Sequence, residues 1–290
     1  MLAASEMKSM ESATIPGERR QYEYSFTTAD FQYVRDLIYR VAGISLAPTK
    51  KDLVYSRLSR RLRARQIGSF RAYLELLEQG DQEELEAFTN ALTTNMTSFF
   101  REAHHFQILA HHLATLARSA PIHIWTCASS TGEEPYSIAM TVAEHYGSFN
   151  TPVRILATDI DTNVLEKAKQ GRYALDQLQV LNARQIKSFF LKGCGKNAGL
   201  AKVRPELQKM ITFKRLNLLD EKWDTGEKCD AVFCRNVMIY FDRATQYRIL
   251  KKMQSCIKPN GLFFAGHSEN FHHAADLFKV NGKTVYIPKL

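Results

Sequence analysis

A loop of small and polar residues, Cys127-Ala128-Ser129-Ser130-Thr131-Gly132-Glu133-Glu134-Pro135, follows an apolar run and precedes an amphipathic segment. That order puts the loop at the carboxyl edge of an open α/β sheet, where such sheets bind ligands. Its small side chains let a ligand approach the backbone. It is neither G-x-G-x-x-G nor a Walker loop, because it has no Lys and a single Gly. Two acids at the helix start oppose a dianionic phosphate. A cofactor bearing an ammonium or other cation would find Glu133 or Glu134 favourable, although the same acids also complement the helix dipole. The next apolar run ends Leu156-Ala157-Thr158-Asp159, where doubly wound nucleotide folds hold ribose hydroxyls with an acid. Asp159 is assigned to the ribose and Asp161 to capping the following helix. A third run ends Arg215-Leu216-Asn217-Leu218, a polar side chain beside an apolar one, suited to the amino group and ring face of adenine.

The elements that must position these residues are legible from hydrophobic periodicity. Between residues 26 and about 95 every periodic segment reads as helix. Phe31, Val34, Ile38 and Val41 form the first apolar stripe, which stops at Gly43. A second helix opens at Thr49, with Asp52 as a capping partner, and packs through Val54, Leu58 and Leu62. Ser69 and Asp81 cap two more. From about residue 121 short apolar runs alternate with helices, the pattern of βαβ units and a parallel sheet, with strands expected at 122–127, 153–158, 211–216, 231–234 and 262–265. Phe278-Lys279-Val280, Asn281-Gly282 and Thr284-Val285-Tyr286-Ile287 spell a closing hairpin with a type I′ turn. The stretch from Gly171 to Met210 is longer than a crossover needs and reads as an inserted subdomain. A small-residue loop without a phosphate cradle, a ribose acid one strand over and an antiparallel finish point to S-adenosylmethionine rather than NAD.

Composition narrows the class. The 290 residues, 45% hydrophobic and 24% charged, supply a sizeable core and exclude disorder over most of the chain. A net charge of +9 implies an acidic partner: nucleic acid, anionic lipid or an acidic protein surface. Five cysteines without a Cys-x-x-Cys pair argue against a disulfide scaffold or a structural zinc site. Glu6, Lys8 and Glu11 interrupt what a signal peptide would need as an apolar run, and no stretch could span a bilayer, so a cytoplasmic protein is expected. The pairs His104-His105, His111-His112 and His272-His273 lack an H-E-x-x-H arrangement; polar helix faces account for the first two, and no metal is expected. Cys127 reads as a small apolar filler, and His267 has no assigned role.

Five strings together resemble the chemotaxis receptor glutamate methyltransferases: Thr94-Asn95-Met96-Thr97-Ser98-Phe99-Phe100-Arg101, 127–137 (CASSTGEEPYS), Ala157-Thr158-Asp159-Ile160-Asp161, 233–241 (FCRNVMIYF) and Gly266-His267-Ser268-Glu269. The resemblance runs from about Phe26 to Pro288. It implies a doubly wound, mainly parallel seven-stranded S-adenosylmethionine-dependent methyltransferase fold closed by an antiparallel hairpin. A flexible tail (1–25) and a small all-α domain (26–94) precede the methyltransferase domain (95–290), which carries a β subdomain at about 172–210. The implied cofactor site comprises Asn95, Thr97, Arg101, the Ala128 loop, Glu133, Asp159, Asn217, Leu218, Arg235 and Asn236, with S-adenosylhomocysteine as product. The roles of Asn95, Thr97 and Arg101 rest on the resemblance alone.

The resemblance also implies the substrate, glutamate side chains on the cytoplasmic helices of methyl-accepting receptors. A glutamate side chain in water titrates at about 4.3 and is already an anionic nucleophile near neutral pH, so no general base is needed. Arg101 could hold a carboxylate, either the acceptor's or that of the methionine moiety. Tyr240 could orient the acceptor or line the methyl pocket. The second helix concentrates positive charge, and Arg57, Arg60, Arg61 and Arg63 are expected to bind the acidic substrate. In the resembling family the insert can tether a receptor's carboxy-terminal peptide, with strand addition as the physical mode. The rival readings are a nucleic-acid methyltransferase or a catalytically silent adaptor using the basic helix. Against the first, no Asp/Asn-Pro-Pro-Tyr string follows the fourth strand, and the helix lacks interleaved aromatics for base stacking. No nucleic acid is expected as partner, and no membrane insertion.

Overall fold

The computed structural model describes residues 23–117 and 120–289. The expected tail therefore lies almost wholly outside the described residues. Four helices come first: α1 (Thr28–Ala42), α2 (Lys51–Ala64), α3 (Phe70–Glu78) and α4 (Gln82–Leu92). Thr27 and Asp30 form a reciprocal capping box on α1, and Gly43 ends it in the left-handed conformation at φ 71°. Ser69 and Asp81 cap α3 and α4 as expected. The cap expected at Thr49 is not formed: a 3-10 turn over Pro48–Lys50 runs directly into α2, whose N-cap is Lys50 without a side-chain bond. Proline at the turn's first position fixes φ for helical entry and leaves Thr49 inside it. Val54, Leu58, Leu62, Phe70, Tyr73 and Phe88 form the shared core.

After α5 (His104–Thr115), the chain alternates strand and helix: β1 (Ile122–Thr126), α6 (Glu133–Tyr146), β2 (Val153–Asp159) and α7 (Thr162–Gln170). An excursion follows, with β3 (Arg172–Ala174), α8 (Ala183–Phe189), β4 (Phe190–Lys192), β5 (Leu200–Val203) and α9 (Pro205–Gln208). The main sheet resumes with β6 (Ile211–Arg215), β7 (Cys229–Cys234), α10 (Arg243–Cys256), β8 (Ile257–Ala265), β9 (Phe278–Val280) and β10 (Val285–Pro288). The seven-stranded order is β6-β2-β1-β7-β8-β10-β9, and β3-β5-β4 make a separate three-stranded antiparallel sheet.

Strands β6 to β8 in this order pair in parallel, while β10 runs antiparallel between β8 and β9. Alternate strand residues face opposite sides, so Ile124, Ile155, Phe233 and Phe264 pack with α5 and α6, whereas Trp125, Val232 and Phe263 pack with α10. β7 is buried at all six positions, as a central parallel strand covered on both faces must be. The final hairpin does not use a two-residue type I′ turn. Its connection spans residues 281–284, with positive φ at Gly282 and Thr284 but not at Asn281, and Asn281 N–H bonds to the Val285 carbonyl at 2.8 Å.

His105 also departs from expectation. It is fully buried rather than on a polar helix face, Nε2 lies 2.9 Å from Thr284 Oγ1, and burial pushes its pKa down to about 4. Among the described residues no group of three or more His, Cys, Asp or Glu side chains could hold a metal ion, and no helix is long and apolar enough to cross a membrane.

Candidate active site

Strand order reverses between β1 and β7, and their carboxyl ends open a crevice there, the switch point of a doubly wound sheet. A cavity of about 470 Å³ occupies it, within the usual range for small-molecule sites of about 300–1,000 Å³. Its wall includes Asn95, Thr97, Arg101, Ala128, Asp159, Asn217, Leu218, Arg235, Asn236 and Tyr240, so these sequence-derived candidates converge on one space. Glu133 does not line it. That side chain is 2% exposed, turned back to accept from Thr131 Oγ1 at 2.6 Å, and burial pushes its pKa upward. Glu134 lines the cavity instead, accepting from Thr126 Oγ1 at 2.6 Å and pairing with Arg235 at 2.9 Å.

At the carboxyl end of β2, Asp159 is 7% exposed and accepts backbone N–H groups from Ser130 (2.8 Å) and Asp161 (2.9 Å). Burial outweighs these bonds and pushes its pKa up to about 6. Ser130 holds φ 47°, and its hydroxyl donates to the Asn95 carbonyl at 3.0 Å, so the loop after β1 is tied to the segment leaving α4. Asp161 caps α7 and also accepts from Thr93 Oγ1 (2.6 Å) and Asn95 Nδ2 (2.8 Å). The Asn217 amide donates to the Val41 carbonyl at 2.7 Å and its oxygen accepts from Leu219 N–H, which fixes the turn after β6 against the helical domain.

At the opposite end of the cavity lies a buried charge cluster. Arg235 pairs with Glu134 and, at 3.4 Å, with Glu102, donates to the Arg101 carbonyl, and sits 5.8 Å above the Phe106 ring. Its Nε is buried without a protein partner. Glu102, at φ 57°, accepts from His267 N–H at 3.1 Å and Asn236 Nδ2 at 3.4 Å. Arg101 Nη1 donates to the Met96 carbonyl at 3.0 Å. Glu269 accepts from the N–H groups of Gly266, Asn236 and Met238, and so shapes the turn that carries Tyr240. Asn236 there adopts φ 58°. From one end to the other the cavity offers a ribose-type acid, small residues, an anionic carboxylate and two guanidinium groups, a set that could hold a nucleoside joined to an amino acid.

The helical domain forms the other wall through Ile44, Leu46, Ala47 and Leu53. Ser45 N–H donates to the Tyr240 carbonyl at 2.8 Å, and Tyr39 OH donates to Asp242, which caps α10. Gly43 packs on Phe241 so closely that a Cβ would lie 2.9 Å from the ring. Of the basic residues on α2, Arg60 and Arg63 are exposed, and Arg63 pairs with Glu23. Arg57 and Arg61 are otherwise engaged. Arg57 donates to the carbonyls of Leu92 (3.0 Å) and Thr93 (2.6 Å) at the end of α4, while Arg61 pairs with buried Glu84 at 2.7 Å. Removing Arg61 should therefore act on folding: Arg61→Ala is expected to cost about 1–3 kcal/mol in urea unfolding, because it weakens the pairing of a buried carboxylate, whereas Arg60→Glu should leave the unfolding midpoint unchanged.

Sequence reasoning missed Glu102 and Glu269 and chose Glu133 over Glu134. Glu269 lay within a conspicuous string, yet only its three backbone donors disclose its work. Adjacent residues at a helix start point about 100° apart, so the pairing of Glu134 with a strand-end Thr126 decides which one faces the ligand edge.

The sheet order, the single antiparallel strand next to the last position and the cavity at the switch point define the S-adenosylmethionine-dependent methyltransferase fold. Residues 29–93 match the family described as CheR methyltransferase, all-alpha domain, and residues 95–287 match CheR methyltransferase, SAM binding domain. The chain belongs to the CheR methyltransferase family. It is 53% identical over 267 residues to chemotaxis protein methyltransferase 2 of Pseudomonas aeruginosa, covering 92% of this chain and 95% of that protein. It is 48% identical over 263 residues to the chemotaxis protein methyltransferase of Salmonella typhimurium, covering 90% and 91%. The Escherichia coli protein of the same description is likewise 48% identical over 263 residues, with 90% and 91% covered.

Proposed function

We propose that the protein transfers the methyl group of S-adenosylmethionine to glutamate side chains on the cytoplasmic helices of methyl-accepting chemotaxis receptors, forming glutamyl methyl esters for sensory adaptation. The observation that carries this reading is one cavity holding Asp159 at one end and Glu134, Arg235 and Arg101 at the other, open between two domains of a CheR-family chain. In this reading Asp159 accepts from the ribose hydroxyls, and the turn at Asn217 and Leu218 holds the adenine. Glu134 receives the ammonium group in place of Glu133. Arg235, through its unpartnered Nε, and Asn236 hold the methionine end. Asn95 and Thr97 close over the nucleoside.

When bound, S-adenosylmethionine supplies an electrophilic methyl group whose bonding pair leaves with sulfur, giving S-adenosylhomocysteine. The acceptor carboxylate contributes the oxygen lone pair and has no proton to lose, so the protein's work is alignment and exclusion of water. Arg101 holds the acceptor carboxylate, and Tyr240 bounds the methyl position, its backbone fixed by Ser45. Arg60 and Arg63 provide the exposed cations for the acidic receptor surface. A receptor's carboxy-terminal peptide would add as a strand to β3 or β4, the two edges of the small sheet.

The test incubates the purified protein with methyl-labelled S-adenosylmethionine and receptor-containing bacterial membranes. The expected result is receptor-bound label that leaves as methanol in mild base. Arg101→Ala and Tyr240→Phe should each lower the rate, by about tenfold or more if either aligns the reacting atoms. Label in added RNA or DNA would overturn the substrate assignment.

A further inference from the structure

A second cavity, of about 330 Å³, adjoins the turn that carries Tyr240 and shares Ile239 with the main one. Ile239 is 53% exposed and lies at the boundary of the two. The wall brings together Arg243 from the first turn of α10, Ser268 and Asn270 after β8, and the His272-His273 pair, which no step of methyl transfer uses. Among the described residues Arg243 forms no ion pair. His273 Nε2 is buried without a partner. The one acid in the wall, Glu269, has its carboxylate oxygens directed at the N–H groups of Gly266, Asn236 and Met238. Side chains able to donate thus surround a space whose own carboxylate is already engaged. Burial and the neighbouring Arg243 both push the His273 pKa down, as expected where positive charge lacks a counter-ion.

Resting on the function proposed above, we infer that this cavity receives a second carboxylate of the receptor helix whose glutamate enters the main cavity, so that Arg243 and the His272-His273 pair select acceptors flanked by another acid. The geometry suits a helix, since residues three or four apart project from one face. The exposed Ile239 meets the side chains between the two acids, and each acid enters one of the adjoining cavities. The cavity thereby makes acceptor choice depend on sequence context rather than on general acidity.

The experiment measures methylation of a receptor cytoplasmic fragment by the full-length protein, with S-adenosylhomocysteine affinity measured by calorimetry for each variant. Arg243→Glu and His273→Gln are each expected to raise the KM for the fragment, Arg243→Glu by about five- to tenfold, with kcat and S-adenosylhomocysteine affinity unchanged. Fragments in which acids near the acceptor are changed to Gln should lose that difference, and a Lys there should restore turnover by Arg243→Glu. Unchanged KM values would overturn the inference. So would inorganic phosphate that shifts the His273 resonances while the variants keep wild-type KM, since the cavity would then serve a free anion. Failure of the wild-type protein to methylate the fragment would overturn the proposed function itself, an outcome visible before any variant is made.

Discussion

Replacing Arg235 with alanine should cost about 3–5 kcal/mol of folding stability, because it strands buried charge. The Arg235 side chain is 1% exposed and faces two carboxylates, Glu134 and Glu102, that are themselves largely shielded. Burial pushes the Glu102 pKa upward, but the His267 N–H, Arg235, His105 and Asn236 outweigh it and hold the group below 4.5. A carboxylate depressed in this way stabilises the fold above its unfolded pKa and loses that contribution as the pH falls through the folded one. Without Arg235 one of the restraining charges disappears. S-adenosylhomocysteine binding should fall below detection in calorimetry, since Glu134 and Asn236 lose their fixed positions together. Arg235→Lys should recover little, because a point charge cannot span two carboxylates and a carbonyl as a planar fork does. Urea unfolding of the two variants checks the first part. A loss under about 1 kcal/mol, the range of a surface pair, would mean the cluster is not the anchor described.

Asp159 should make cofactor affinity pH-dependent. Its carboxyl titrates at about 6, raised by burial despite two backbone donors. Between the ordinary value of 3.8 and about 6 the native protein binds a proton that the unfolded chain has released, so the ligand-free fold loses stability as the pH rises through this window. Ribose hydroxyls need the ionised acceptor, so S-adenosylhomocysteine affinity should move the other way, rising from pH 5 towards pH 7 and levelling above it. Asp159→Asn should flatten that profile and weaken binding by about ten- to a hundredfold, the loss expected for a charge-assisted hydrogen bond. Calorimetry across pH on both proteins is the check. A profile that persists in Asp159→Asn would assign the titration to another group.

What could be read from the chain follows the range of the forces involved. Strands β1, β2, β7 and β8 announced themselves because a buried parallel strand must be largely apolar on both faces, the edge strand β6 because apolar Ile211 and Phe213 alternate with polar residues, and Asp159 because a strand end dictates where its side chain lies. Gly43, Ser69 and Asp81 were legible since caps act over three or four residues. Contacts across many residues left no such trace. The donation from Arg57 to the end of α4, the Arg61–Glu84 pair and the grip of Glu269 on the turn at 236–238 all join segments distant in sequence. Arg57 and Arg61 therefore read as docking charges, with no sign in the sequence that both also bond within the helical domain or that Arg57 lines the main cavity. The final hairpin shows a local miss: Asn281-Gly282 is a strong turn signal, but the antiparallel pairing of β10 with β8 sets a register that needs two further residues in the connection.

The seam between the two domains is stitched from both sides: Val41 and Ser45 bond to Asn217 and Tyr240, Tyr39 to Asp242, and Thr93 to Asp161. Transplanting a helical domain from a relative with another receptor preference would consequently carry half of each contact into a host holding a different other half. A graft bounded at Gly43 would have to bring Phe241 with it. Under the proposed function, receptor choice and cofactor handling would be inherited as one unit, and a lineage that changes its receptors would do so through substitutions on the outer face of α2 more readily than by exchanging modules.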